Sequence, residues 1–137
     1  MSLMVWNDSY NVNDKEIDRQ HQRLVAMLNE LHDSMMRGDG NRIMGNLLEN
    51  LIKYTKTHFV MEEKLMLTSG YPGFSAHKAE HDALAAQVVK LFAEWKSGRV
   101  ALSVTVLTFL KDWLQGHIVG SDTKLAAHLN SRKHIAA

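Results

Sequence analysis

Apolar residues recur along this chain at alternating spacings of four and three, the stripe of helices packed into a bundle. The first stripe runs Ile17, His21, Leu24, Leu28, Leu31, Met35. An Asn13-x-x-Glu16 capping signature precedes it and Gly38 and Gly40 follow it, which predicts a helix over about 14–37. The second stripe, Leu47, Leu51, Tyr54, His58, Met61/Glu62, Leu65, predicts a helix over about 41–68, stopped by the turn Gly70-Tyr71-Pro72-Gly73. The third, His77, His81, Leu84, Val88, Leu91, Trp95, predicts about 75–97 and closes at Gly98. The fourth, Leu102, Val106, Phe109/Leu110, Trp113, His117, predicts about 101–118, with β-branched residues blurring its start. Residues 1–13 form an arm, and in the tail of about 121–137 a short helix resumes over Thr123 to Asn130. Short connections favour antiparallel neighbours. The expected fold is therefore all-α: an up-down-up-down antiparallel four-helix bundle, with an N-terminal arm and a short C-terminal helical extension, in one domain over 1–137.

Each stripe carries histidine, and its position along the helix matters more than its presence. In the first and third helices the histidines lie near the start; in the second and fourth they lie near the end. In an up-down-up-down bundle these four places share one end. His21, His58, Glu62, His77, His81, His117 and Asp122 are thus expected to converge. A lone histidine on an apolar stripe is ordinarily a core residue bonded to a carbonyl. His58 with Glu62, and His77 with His81, are i,i+4 pairs, however, which puts both side chains of each pair on one face about 6 Å apart. An apolar core cannot supply partners for five imidazoles and two carboxylates in one layer, where an unpaired carboxylate is far too costly. A cationic metal centre can.

Composition narrows the chemistry. The 137 residues are enough to bury a core, and no apolar run approaches the roughly 20 residues of a membrane span, so no membrane insertion is expected. The N-terminal residues lack the basic and apolar regions of a signal peptide, which makes the cytoplasm the expected location. There is no cysteine, so any metal must be held by nitrogen and oxygen. A formal charge of +1, with scattered basic residues, lacks the footprint of a nucleic-acid binder. A monomer is expected.

One member of the set breaks the helical pattern. Asp122 follows His117 by five positions, which on a regular helix turns it about 140° away. For both to face inward, a π-type bulge or broken turn is required over 116–122, where Gly116 and Gly120 weaken the helix. Elsewhere, His32 lies about 16 Å beyond His21 by helical rise and falls outside the cluster, and His128 and His134 are expected to be solvated.

Seven donors are too many for one ion, so two are implied. If Glu62 and Asp122 each bridge, five nitrogens and four carboxylate oxygens fill nine positions, and a shared oxo or hydroxo fills two of the remaining three on a pair of octahedral ions. One position stays open. Zinc prefers four ligands, and magnesium or calcium would not select five imidazoles, which leaves iron first and manganese second.

The order His21, His58-x3-Glu62, His77-x3-His81, His117-x4-Asp122 resembles hemerythrin, and the Val5-Trp6-Asn7-Asp8 arm and single-domain length resemble its bacterial branch. The stretches Ile17-Asp18-Arg19-Gln20-His21-Gln22 and His77-Lys78-Ala79-Glu80-His81 strengthen the likeness, which covers essentially the whole chain. The resemblance implies two non-haem iron ions bridged by Glu62, Asp122 and an oxo or hydroxo group. His77, His81 and His117 would hold the saturated ion, and His21 and His58 the open one. It implies reversible dioxygen binding for storage, transport or delivery to an oxygen-consuming enzyme, with no catalytic residues. By position in that family, Leu24, Phe59, Trp113, Ile118 and Val119 would line the oxygen pocket, and the Trp113 indole would donate to a bridging carboxylate. Oxidases of the ferritin type use four carboxylates and paired Glu-x-x-His motifs, which this chain lacks on two helices. The alternatives are a di-iron redox enzyme (oxidase, peroxidase or nitric-oxide reductase) and oxygen or iron sensing through a partner.

Overall fold

The computed structural model describes residues 3–98 and 104–136. Among the described residues five α-helices form: α1 (Lys15–Met36), α2 (Asn41–Ser69), α3 (Phe74–Lys96), α4 (Val104–Gly116) and α5 (Thr123–Ala136), with a π-helix (His117–Asp122) joining the last two. The architecture is the expected antiparallel four-helix bundle. The start of the fourth helix, expected near 101, lies outside the described residues.

Local chemistry sets the helix ends. Asp14, not Asn13, caps α1, its carboxylate accepting from the Ile17 N–H at 3.1 Å. Asn13 instead takes the left-handed conformation, φ 65°, and Glu16 pairs outward with Arg19. At the end of α2, Gly70 adopts φ 66° while the Tyr71 N–H bonds back to the Met66 carbonyl. This is the left-handed cap for which glycine is suited, and it aims the chain back along α3.

The expected end of the fourth helix near 118 does not occur. The π-helix carries the chain directly into α5, so one helix runs from Val104 to Ala136. Thr123 supports the wide turn by donating its hydroxyl to the Ile118 carbonyl at 3.0 Å. α5 is therefore built into the bundle: Leu125 and Ala126 are fully buried and Leu129 nearly so. His128 is half-buried rather than solvated, its Nε2–H donating to the Ser69 carbonyl at 3.0 Å. The side chain of His134 lies outside the described ones.

Two apolar clusters divide the core. One joins Tyr10 and Val12 of the arm to Ile17, Met66, Ile118 and Leu125. The other joins Leu28, Leu31, Met44, Leu48 and Leu107. The arm lies along α1, tied at one point by the Val12 N–H to Asp18 (2.8 Å) and at another by two bonds between the Met4 backbone and the Asn29 amide (2.9 and 2.7 Å). Reading along α1 from Ile17 through His21 to Leu28, or along α2 from Leu48 through His58 to Met66, the polar residues fall between the two clusters. The polar layer is sealed on both sides.

Candidate metal centre

Each of the seven predicted residues is at most 4% exposed, and their donor atoms meet in two groups. Glu62, His77, His81, His117 and Asp122 form one, and His21, His58, Glu62 and Asp122 the other, with all atoms of a group within 4.8 Å of each other. The two carboxylates belong to both. His117 and Asp122 reach the same point because the π-helix adds the residue that a regular helix would lack.

The donor atoms stand at distances that suit a shared ion as well as hydrogen bonds. His77 Nε2 and His81 Nε2 lie 3.1 and 3.0 Å from His117 Nε2. On the far edge of the rings, the Nδ1–H of His81 donates to Glu63 (3.0 Å) and that of His117 to Glu80 (3.4 Å), which assigns a proton to each Nδ1 and, in the neutral ring, leaves Nε2 its lone pair. With both rings neutral, the Nε2 lone pairs of His81 and His117 would face each other, an arrangement that a cation between them relieves. Two nitrogens at right angles, each about 2.1 Å from one ion, lie about 3.0 Å apart. The spacing fits.

The carboxylates point the same way. Asp122 Oδ1 is 3.0 Å from His77 Nε2 and 3.1 Å from His117 Nε2, while Oδ2 is 2.7 Å from His21 Nε2. Its two oxygens thus face different groups. Glu62 Oε1 lies between His58 Nε2 (3.1 Å) and His81 Nε2 (3.3 Å). None of the four side-chain oxygens of Glu62 and Asp122 has a partner with hydrogen-bond geometry, nor do Nε2 of His21 and His58. So many orphaned donors and acceptors in a sealed layer are what a metal centre would satisfy. Electrostatics agree: burial raises the Asp122 carboxyl and its contacts with His117, His21 and His77 overcome this, holding it well below the usual carboxylate range. His117 shows the converse, for burial lowers it, but Asp122, Glu62 and Glu80 raise it on balance.

Aromatic rings fix two of the imidazoles. Phe59 stacks on His81 at 3.8 Å between centroids and 4° between planes, and Trp113 stacks on His117 at 4.5 Å and 15°. Trp113 therefore acts through its face, because neither Glu62 nor Asp122 accepts a hydrogen bond from its indole. A cavity of about 70 Å³ adjoins the site, touching His21, His58, His117 and Asp122 and otherwise lined largely by carbon. Leu24, Phe59 and Trp113 line it; Leu28, Leu84 and Leu110 also do, and were not singled out from the sequence. Ile118 and Val119 do not line it. Ile118 is buried on the arm side, in the first cluster, and Val119 is 50% exposed, because the π-helix turns only its His117 and Asp122 toward the centre.

Sequence reasoning also missed Gln20, Glu63 and Glu80. Gln20 accepts from His58 Nδ1–H at 2.6 Å, as Glu63 and Glu80 do from His81 and His117. Each directly precedes or follows a cluster residue in the chain, and each reaches round to a histidine on the next helix. A polar acceptor beside a cluster residue is the signal that could have found them. His32 is outside both groups, as expected.

Comparison with known proteins agrees with this geometry. The hemerythrin HHE cation-binding domain matches residues 12–129. A bacteriohemerythrin of Stenotrophomonas maltophilia is 37% identical over 98% of this chain and 90% of its own, and one of Methylococcus capsulatus is 37% identical over 86% and 90%. The crystal structure of a wild-type hemerythrin superposes with a TM-score of 0.87 at 35% identity, covering 93% of this chain and 98% of that one. With the family's domain spanning most of its length, and its buried layer of histidine, glutamate and aspartate suited to a metal, the chain belongs to the hemerythrin family.

Proposed function

We propose that this protein binds dioxygen reversibly at two non-haem iron ions, and that it is a carrier or store rather than an enzyme. His77, His81 and His117 would hold one iron and His21 and His58 the other, with Glu62, Asp122 and an oxo or hydroxo group bridging. The observation that carries the reading is the apolar cavity, which touches both histidines of the two-histidine group but only His117 of the other three. The ion with fewer protein ligands is the one with space beside it. Two ferrous ions held by these residues would supply the two electrons, one each, that dioxygen takes up on binding and returns on release.

The chain's own residues favour binding over turnover. A dry apolar cavity admits a small apolar molecule and offers water few partners. Thr55, at its edge, donates its hydroxyl to the Leu51 carbonyl, so this hydroxyl's proton is already committed. Apart from the cluster residues, Lys56 is the only charged group among the described lining, and it is exposed. The described lining is thus poor in proton donors, which disfavours reductive chemistry. The reading extends to a monomer in the cytoplasm that supplies an oxygen-consuming enzyme; no described helix is long and apolar enough to cross a membrane.

The test is anaerobic reduction, admission of oxygen, then purging. A visible charge-transfer absorption that appears and disappears over repeated cycles, with about two irons per chain, is expected. One zinc per chain, or an irreversible change on first exposure, would remove the proposal. Sustained turnover faster than autoxidation would replace it with the redox-enzyme reading.

A further inference from the structure

The outer edges of the histidines are not treated alike. At the three-histidine group, His81 and His117 each donate Nδ1–H to a carboxylate, Glu63 at 3.0 Å and Glu80 at 3.4 Å. Glu80 is held in place by Ser121, whose hydroxyl donates to it at 2.8 and 2.6 Å, so α3 is tied to the π-helix at two points. At the two-histidine group, His58 donates instead to the neutral amide of Gln20 at 2.6 Å, and His21 Nδ1 has no partner. Two anions therefore back one group and none backs the other.

We propose that Glu63 and Glu80 are positioning residues that make the two metal positions unequal, so that the three-histidine position fills first and releases last. The inference rests on the di-metal reading above. A carboxylate behind an imidazole fixes the tautomer whose Nε2 lone pair faces the metal, and polarises the ring into a stronger donor; loss of such partners typically weakens metal binding by about 10- to 100-fold. A neutral amide fixes the tautomer without adding charge. The side chain of Glu63 is 22% exposed and that of Glu80 45%, so solvent screens Glu80 more and Glu63 has the larger effect. Unequal retention suits oxygen binding, because one ion anchors the layer while the other keeps an accessible face.

The experiment follows metal release from iron-loaded protein into excess chelator, with iron per chain measured first. Two phases are expected in the wild type. A His58→Ala protein identifies the faster phase by losing it. Glu63→Gln, which keeps an acceptor but removes the charge, is expected to accelerate the slow phase roughly tenfold or more and leave the fast phase alone. Glu80→Gln should do the same to a smaller degree, Glu63→Asp should restore part of the retention, and Gln20→Glu should slow the fast phase. Circular dichroism and melting of the metal-free variants, unchanged from wild type, separate these effects from misfolding. If the wild type holds two irons and the Glu63→Gln and Glu80→Gln proteins release both at wild-type rates, this inference falls alone. If the wild type does not hold two irons, the di-metal reading falls with it.

Discussion

The two apolar clusters that enclose the histidine layer are built on different plans. The cluster of Leu28, Leu31, Met44, Leu48 and Leu107 is drawn from α1, α2 and α4, regular helices that a four-helix bundle needs with or without a metal. The cluster of Tyr10, Val12, Ile17, Met66, Ile118 and Leu125 draws on the arm, the π-helix and α5, segments with little shared periodicity. The first stands on its own packing. The second sits on elements whose path is set by the histidine layer, since the π-helix that begins it also carries His117 and Asp122. Stability and metal occupancy should therefore be coupled on one side of the layer and nearly independent on the other.

Removing the metal tests this most severely. With free metal at a thousand times its dissociation constant, each ion contributes about 4 kcal/mol, so chelation should lower the melting temperature by roughly 10 °C or more in calorimetry. Hydrogen exchange should rise across the arm and residues 117–131, while amides around Leu28 to Leu31 and Leu48 keep their protection. A uniform rise along the chain would dissolve the distinction between the clusters.

Leu31→Ala probes the other side. Leu31 is fully buried, so its truncation should destabilise the fold by about 2–5 kcal/mol in denaturant titration, with two irons per chain retained. Metal loss in that protein would show that the far cluster supports the site after all.

A smaller effect is expected from pH, with opposite signs in the two states. In the metal-free protein the raised His117 contributes stability that is fully present below about pH 6.5 and lost as pH rises through its folded value. The lowered Asp122 contributes stability present above about pH 3.9 and lost as pH falls through its folded value. Metal-free stability should thus decline from about pH 6.5 upward, whereas metal-loaded stability should increase over the same range, because protons compete with metal for imidazole. Melting curves of both forms across that interval decide it; parallel slopes would refute the account.

The smallest change is Tyr10→Phe. It removes the acceptor that takes a 2.6 Å hydrogen bond from the Gln115 amide and should cost about 1 kcal/mol. The loss of exchange protection should stay within the arm and the neighbouring end of α4.

The same contrast marks what the sequence could reveal. Four stripes with histidine at alternating ends foretold both the bundle and the meeting of seven residues, because helical periodicity and chain direction are local properties. The i,i+5 offset of Asp122 foretold a distortion, though not that the helix would continue unbroken to Ala136. Cross-helix contacts were harder to see. Glu63 and Glu80 look like ordinary solvent-facing charges from spacing alone, and their role depends on which neighbouring helix each faces. Ile118 and Val119 were misplaced for a related reason: a π-helix changes the facing of every residue within it, so position relative to His117 no longer indicates the side presented to the cavity.

That π-helix also fixes a reading frame for the C-terminal part of the chain. Deleting one residue between His117 and Asp122 would restore an ordinary helix, but it would rotate everything beyond by about 100° and draw it back by about 1.5 Å. Asp122 would leave the centre at the same moment as Leu125, Ala126 and Leu129 lost their seats in the core. A single inserted residue thus sets the phase of both the candidate metal site and the closing helix.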